Sequence, residues 1–214
     1  MNESVKRQYR SPVREESARR TRVQIREAAS GLFIRQGYGT TTMRQIADQA
    51  RVSERTAYLI FPSKLDLLLE VIGVATTGDD DPTPLATRSE FQAALAEPDG
   101  KKALALGVKL TSTLLERAGP VVMAAYESVG LGEELREGAL EGERARARDL
   151  SLIAKALKAH GALRSDVSVE EATDILLVMI SPHAHQMLRR DRGRSLARYR
   201  STLLKALEGA LLAD

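Results

Sequence analysis

Few side chains in this sequence could do bond-breaking chemistry. There is no cysteine, so thiolate nucleophiles, disulfides and thiolate metal sites are excluded. The histidines are His160, His183 and His185, and the last two stand two apart, so on a helix they face different ways. No HExxH pair or glycine-rich phosphate loop occurs. A lone histidine on an apolar stripe is more often a satisfied core residue than a ligand. The expectation is therefore no catalytic residue, no metal, no cofactor and no enzyme. What remains is a cluster of groups suited to recognition: Glu54, Arg55, Thr56 and Tyr58, at the start of a short helix. Side chains there could meet base edges or phosphates.

Those residues need a frame. A long amphipathic helix is predicted from Ser17 to Gln36, with Ile25, Ala28, Ala29, Leu32 and Phe33 on one face and Gly37 just past its end. Thr42 and Gln45 have the spacing of a capping box and open a second, two-turn helix buried through Met43, Ile46, Ala47 and Ala50. After a short break at Arg51-Val52, Ser53 caps a third helix running from Glu54 to about Ile60, which Pro62 closes. Ser63, with Asp66, caps a fourth. Two short helices joined by a three-residue turn form the helix-turn-helix pattern, whose second helix fits a major groove. Met43, Ile46, Ala47, Val52, Ala57 and Phe61 would brace it. Many such hairpins bind nothing, so the pattern alone leaves a purely structural role open.

Charge favours a polyanion partner for the first third. Residues 1–64 hold 13 Lys or Arg against 6 Asp or Glu, while the remaining 150 hold 19 against 23. An ordinary solvated tail would give a similar imbalance. Hydrophobic residues are 43% and charged residues 29% of the 214, which suits a packed globular core. No run of 18 apolar residues occurs, and no apolar run follows the basic N-terminus, so neither a membrane span nor a secretory leader is expected and the cytoplasm is the simplest location.

Past the loop at 78–84 everything reads as helix: about 86–97, 101–118, 120–130, 133–160, 168–190 and 195–212. The fold class expected is all-α. It comprises a flexible basic arm (1–17), a helix-turn-helix domain (18–75) and a helical domain (76–214). Ser168 and Glu171 could cap a helix carrying Ile175, Met179, His183 and Met187 on one face, and the last helix carries Leu196, Tyr199, Leu203 and Leu207. Two such helices could pair with their copies as a four-helix bundle, which makes these residues the expected homodimer interface; packing within one protomer is the alternative. A mostly apolar ligand cavity could be lined by Thr111, Leu115, Met123, Tyr126, Met179 and His183, although each could equally be core.

The run from Ile25 to Leu69 resembles the tetracycline-repressor (TetR) family. The matching phrases are Ala28-Ala29, Leu32-Phe33, Gly37-Tyr38, Thr41-Thr42, Ile46-Ala47, Ala50, Val52-Ser53, Thr56, Tyr58, Phe61-Pro62-Ser63-Lys64 and Asp66-Leu67-Leu68. The resemblance implies a three-helix DNA-binding head on a ligand-binding, dimerising body. It implies a repressor released from a palindromic double-stranded operator by a small, largely apolar effector. Thr42 and Arg44 would contact phosphates, Ser53, Arg55, Thr56 and Tyr58 would lie in or beside the groove, and Lys64 would hold a phosphate. The chain departs from the family at Arg51, where relatives usually have Gly. Arg51 would then sit at positive φ, and its charge could reach phosphate. It also departs at Leu59 and Ile60, which could touch thymine methyls or pack inward. The arm residues Arg7, Arg10, Arg14, Arg19, Arg20 and Arg22 could track DNA or stay solvated. A non-specific nucleoid or scaffold protein without effector is the competing function.

Overall fold

The computed structural model describes residues 12–81 and 83–213. Of the expected arm, Arg7 and Arg10 lie outside the described residues, and of Arg14 only the backbone is described. Helix α1 (Pro12–Gln36) begins earlier than the expected Ser17. Proline suits a first helical turn, where its missing N–H would have no partner anyway. Then follow α2 (Met43–Ala50), α3 (Glu54–Ile60) and α4 (Lys64–Thr77). Their starts are fixed locally. Thr42 Oγ1 accepts from Gln45 N at 3.2 Å while Gln45 Oε1 accepts from Thr42 N at 2.8 Å. Ser63 and Asp66 repeat the same reciprocal pair at α4. Arg51 ends α2 at φ 58, ψ 41, the one positive-φ residue other than glycine among those described.

The body consists of α5 (Ser89–Ala96), α6 (Gly100–Tyr126), α7 (Glu133–Ala159), α8 (Val169–Met179), α9 (Pro182–His185) and α10 (Leu196–Leu211). Two hydrophobic cores result. The head core gathers Ile25, Ala29, Phe33, Ile46, Ala57, Phe61, Leu67 and Leu68, and also Val121 from α6. The body core gathers Phe91, Leu104, Leu115, Leu157, Leu176, Tyr199 and Leu207. Among the described residues there is no strand; Leu163 and Leu212 form an isolated bridge.

Three sequence expectations change. Gly119-Pro120 does not divide α6, which runs through both. Proline forfeits one helical hydrogen bond. Here Leu115 and Ala118 are buried before it and Val121 and Ala124 after it, so packing holds the rod straight through. The span 168–190, in contrast, is broken. α8 stops at Met179, Ser181 Oγ caps α9 by accepting from Ala184 N, and Gln186–Asp191 is π-helical. Arg146 Nη1 donates to the freed carbonyls of Leu177 (2.9 Å) and Ile180 (3.3 Å). Finally, much of the expected dimer face belongs to the protomer's own interior. Tyr199, Leu203 and Leu207 are 1%, 5% and 0% exposed. Ile175, Met179 and Leu196 are half-buried against the same core, leaving Met187 exposed.

A buried polar cluster ties α6 to the segment after α9. Glu116 accepts from Arg189 Nε (2.6 Å) and Nη2 (2.8 Å), and His185 Nε2 lies 2.8 Å from the same carboxylate. The Arg189 hydrogen bond holds Glu116 down to about 2, and burial pulls His185 below the usual imidazole value. A depressed folded-state pKa means that the unfolded chain binds the proton more readily, so the stability is present at higher pH and lost on acidification. Thermal stability is therefore expected to fall below about pH 6.5 as His185 is protonated on unfolding, and more steeply between 4.5 and 2 through Glu116. Melting curves of the Glu116→Gln protein should lose the steeper part; identical pH slopes for the two proteins would overturn this assignment.

Candidate nucleic-acid interface

The recognition face follows from which side of α3 is anchored. Ala57 and Phe61 are 0% and 1% exposed in the head core, and Ile60 packs half-buried beside them. The opposite side presents Glu54, Arg55, Tyr58 and Leu59 to solvent. Ser53 is the cap: its Oγ accepts from Thr56 N at 3.0 Å and lies 2.7 Å from Thr56 Oγ1. Those two hydroxyls are thus engaged with each other and with the helix start. Thr42 likewise serves Gln45.

Electrostatics separates the cations. Arg44, Arg51 and Arg55 are exposed, with no ion pair or side-chain hydrogen bond among the described residues. Three of the α1 arginines are different, while Arg20 is exposed with no ion pair among the described residues. Arg19 pairs with Glu16, Arg22 with Glu70, and Arg26 with Glu70 and Asp80. Arg22 also lies 4.6 Å from the Phe61 ring centroid. Arg19 and Arg22, named above as arm contacts to DNA, are therefore committed to carboxylates within the protomer. Guanidiniums without an ion pair stand on the α2–α3 face at Arg44, Arg51 and Arg55, and on α1 at Arg20.

Lys64 is not a freely solvated phosphate hook. Its Nζ donates to the carbonyls of Tyr38 (2.8 Å) and Thr41 (2.7 Å) and sits 4.1 Å from the Tyr38 ring centroid. Burial lowers its pKa. It thereby fastens the turn before α2 to the start of α4. Nothing in the local sequence reveals this, because Tyr38 is 26 positions away.

The candidate pocket residues are dispersed. Thr111 Oγ1 is spent on Gly107 O of its own helix (2.7 Å), and Leu115 is 4% exposed in the body core. Met123 and Met179 are half-buried. Tyr126 and His183 do meet, stacked with ring centroids 5.1 Å apart. Two charged residues that the sequence did not point to join them. Tyr126 donates to Glu143, and Arg146 Nη2 donates to Glu143 at 2.6 Å. Burial, aided by Glu143, pushes the Tyr126 phenol well above its usual value. Arg146 Nε is buried without a partner. Two surface cavities lie elsewhere: about 510 Å³ between α1, α4 and the loop at 79–84, and about 520 Å³ beside Lys101, Asp166 and Glu208. None of the expected pocket residues lines either.

The Lys64 geometry gives a test. Lys64→Ala strips a donor from two carbonyls; that of Tyr38 keeps its bond from Thr41 N (3.2 Å), whereas that of the buried Thr41 loses its partner. Leaving such a group unsatisfied costs about 1–3 kcal/mol. Urea denaturation of the free protein should show that loss; an unchanged midpoint would mean that Lys64 serves only an external partner.

Residues 25–71 match the model for bacterial regulatory proteins of the tetR family. The chain is 27% identical over 197 residues to the HTH-type transcriptional repressor BepR of Brucella suis biovar 1 (strain 1330), covering 89% of this chain and 93% of that one. Its fold is similar to that of NalD, the secondary repressor of the MexAB-OprM multidrug efflux pump in Pseudomonas aeruginosa, with TM-score 0.69, 23% identity and coverage of 93% and 99% of the two chains. It is similar also to the transcriptional regulator FadR of Bacillus subtilis, solved with stearoyl-CoA, with TM-score 0.69, 21% identity and coverage of 86% and 96%. Residues 25–71 thus resemble the N-terminal domain of the tetR family of bacterial regulatory proteins, and the helical scaffold that carries them is similar in fold to those of NalD and FadR.

Proposed function

We propose that this protein is a ligand-responsive transcriptional repressor that binds a double-stranded operator as a homodimer, with α3 in the major groove. The carrying observation is the α2–α3 face, where Arg44, Arg51 and Arg55 stand exposed and unpaired around a helix whose other side is anchored in the head core. Guanidinium groups contact phosphate and can bond guanine bidentately. Arg55, in the first exposed turn, is assigned to a base edge, and Tyr58 to a base or sugar beside it. Arg44 and Arg51, outside that turn, are assigned to phosphates. Lys64, Thr42, Ser53 and Thr56 act by holding the two helices in place. The likeness in sequence to the repressor BepR and in fold to the repressor NalD supports the regulatory reading. Among the described residues no helix is long and apolar enough to cross a membrane.

The effector is assigned to the body, near the Tyr126–His183 stack. Half-buried Met123 and Met179 would favour an apolar molecule, and the orphaned Nε of Arg146 would favour one bearing a hydrogen-bond acceptor. An effector releases the operator only if it binds one conformation better than the other.

Selection of bound duplexes from a random pool tests the function. A palindrome recovered with two half-sites supports it; recovery of unrelated sequences at equal affinity favours non-specific binding. On the selected operator, Arg55→Ala should cost about 1–3 kcal/mol of preference at one or two base pairs. Arg51→Gly should weaken binding to all sequences alike and reduce the salt slope by about one unit. It should also stabilise the free protein by about 1 kcal/mol, because glycine accepts the left-handed conformation without penalty. Loss of base preference in Arg51→Gly, with none in Arg55→Ala, would show that the wrong face has been placed in the groove.

A further inference from the structure

Leu59 is 83% exposed, more than any other large hydrophobic side chain among the described residues, and it stands on the side of α3 just assigned to DNA, one position before the helix ends. It follows Arg55 by four positions, so the two share one side of α3. Tyr58, 46% exposed, is its neighbour. Ile60 turns inward against the head core, so the two apolar residues at this end of the helix part company. Nothing in the protomer explains a leucine at this place: it closes no core, and a polar side chain there would be better solvated. Its apolar surface is removed from water only when a partner covers it. The partner's character is set by Arg55, one turn earlier on the same side of α3 and without an ion pair among the described residues, and by the exposed, equally unpaired Arg44 and Arg51 of α2 and the turn that follows it. A polyanion fits that frame. On the major-groove edge of DNA the apolar feature is the pyrimidine C5-methyl group, carried by thymine.

We propose that Leu59 reads a pyrimidine C5-methyl group in each half-site, and so determines specificity at one base pair without a hydrogen bond. Thymine supplies the methyl in ordinary DNA, and 5-methylcytosine presents the same group at the same place. The inference rests on α3 entering the major groove. It adds that an apolar contact, beside the Arg55 hydrogen bonds, sets part of the sequence preference.

The test uses the operator recovered from a random pool. Each thymine of a half-site is replaced singly by deoxyuridine, which removes the methyl and leaves every hydrogen-bonding group. For the full-length wild-type protein, uridine at one or two positions should weaken binding about fourfold, the worth of one buried methyl-sized group. Leu59→Ala should bind the thymine operator about fourfold more weakly and be indifferent to uridine at those positions, with the salt slope and the penalties at other positions unchanged. In a second arm, cytosine is placed at the sensitive position. Because a C·G pair also changes the hydrogen-bonding groups, the comparison there is between cytosine and its 5-methyl form: the methyl should strengthen binding about fourfold for wild type but not for Leu59→Ala. Because Leu59 is exposed, the variant's melting temperature should match wild type. If no thymine is sensitive to uridine, or if Leu59→Ala keeps the uridine penalty, the proposal is overturned while DNA recognition by α3 stands. If the pool yields no preferred duplex, sequence-specific operator recognition itself fails and takes this inference with it.

Discussion

A seven-residue helix does not hold together by itself in water, and α3 has seven residues. Nucleating a helical turn is costly, and so short a segment gains too few hydrogen bonds to offset it. The geometry of the whole recognition face therefore depends on what is imposed on α3 from outside. Two side chains, Ala57 and Phe61, are sunk into the head core. One hydroxyl, on Ser53, satisfies its start. The turn before α2 is held by the ammonium group of Lys64, which is itself in the first turn of α4. α3 is thus held in place by side chains engaged within the protomer. The cations and the leucine that do face outward are free of structural duty.

The same logic links head to body. α6 crosses Pro120 without a break and delivers Val121 into the head core while Leu115 stays in the body core. Arg117, one turn earlier, donates to the carbonyls of Ala75 and Thr76 at the end of α4. Leu131, just beyond α6, lies against Gly39 in the turn that Lys64 holds, where an added Cβ would stand 2.7 Å from its Cδ1. A displacement of α6 is consequently felt at both ends of the head, through close-packed contacts rather than through a flexible joint. Close-packed interiors transmit strain instead of absorbing it. Tyr126, the last residue of α6, sits on the stack with His183, so the proposed effector site is at one end of this rod.

Two residues on the face proposed to meet DNA break rules that the rest of the head obeys. Arg51 occupies a left-handed conformation that costs a residue with a Cβ about 1–2 kcal/mol, and Leu59 leaves a large apolar side chain in solvent. Each violation lies outside the core and beside unpaired positive charge. Such local conflicts concentrate where a surface serves a partner instead of the fold.

What the sequence determined by itself was whatever depends on residues three or four apart. The starts of α2, α3 and α4 were legible from Thr42, Ser53 and Ser63, because a cap and its helix are neighbours in the chain. The left-handed turn at Arg51 was expected from the family resemblance, in which relatives have glycine at that place. Only the tertiary structure decided the rest. It carried α6 through Pro120, because burial on both sides outweighed one lost hydrogen bond. It cut α8 short at Met179, because Ser181 and Arg146 could satisfy the exposed backbone groups. It turned Tyr199, Leu203 and Leu207 inward and committed Arg22 to Glu70. An amphipathic stripe or a basic cluster states that a surface needs covering or neutralising. Whether that comes from the same chain or from another molecule depends on residues dozens of positions away, which local periodicity does not encode.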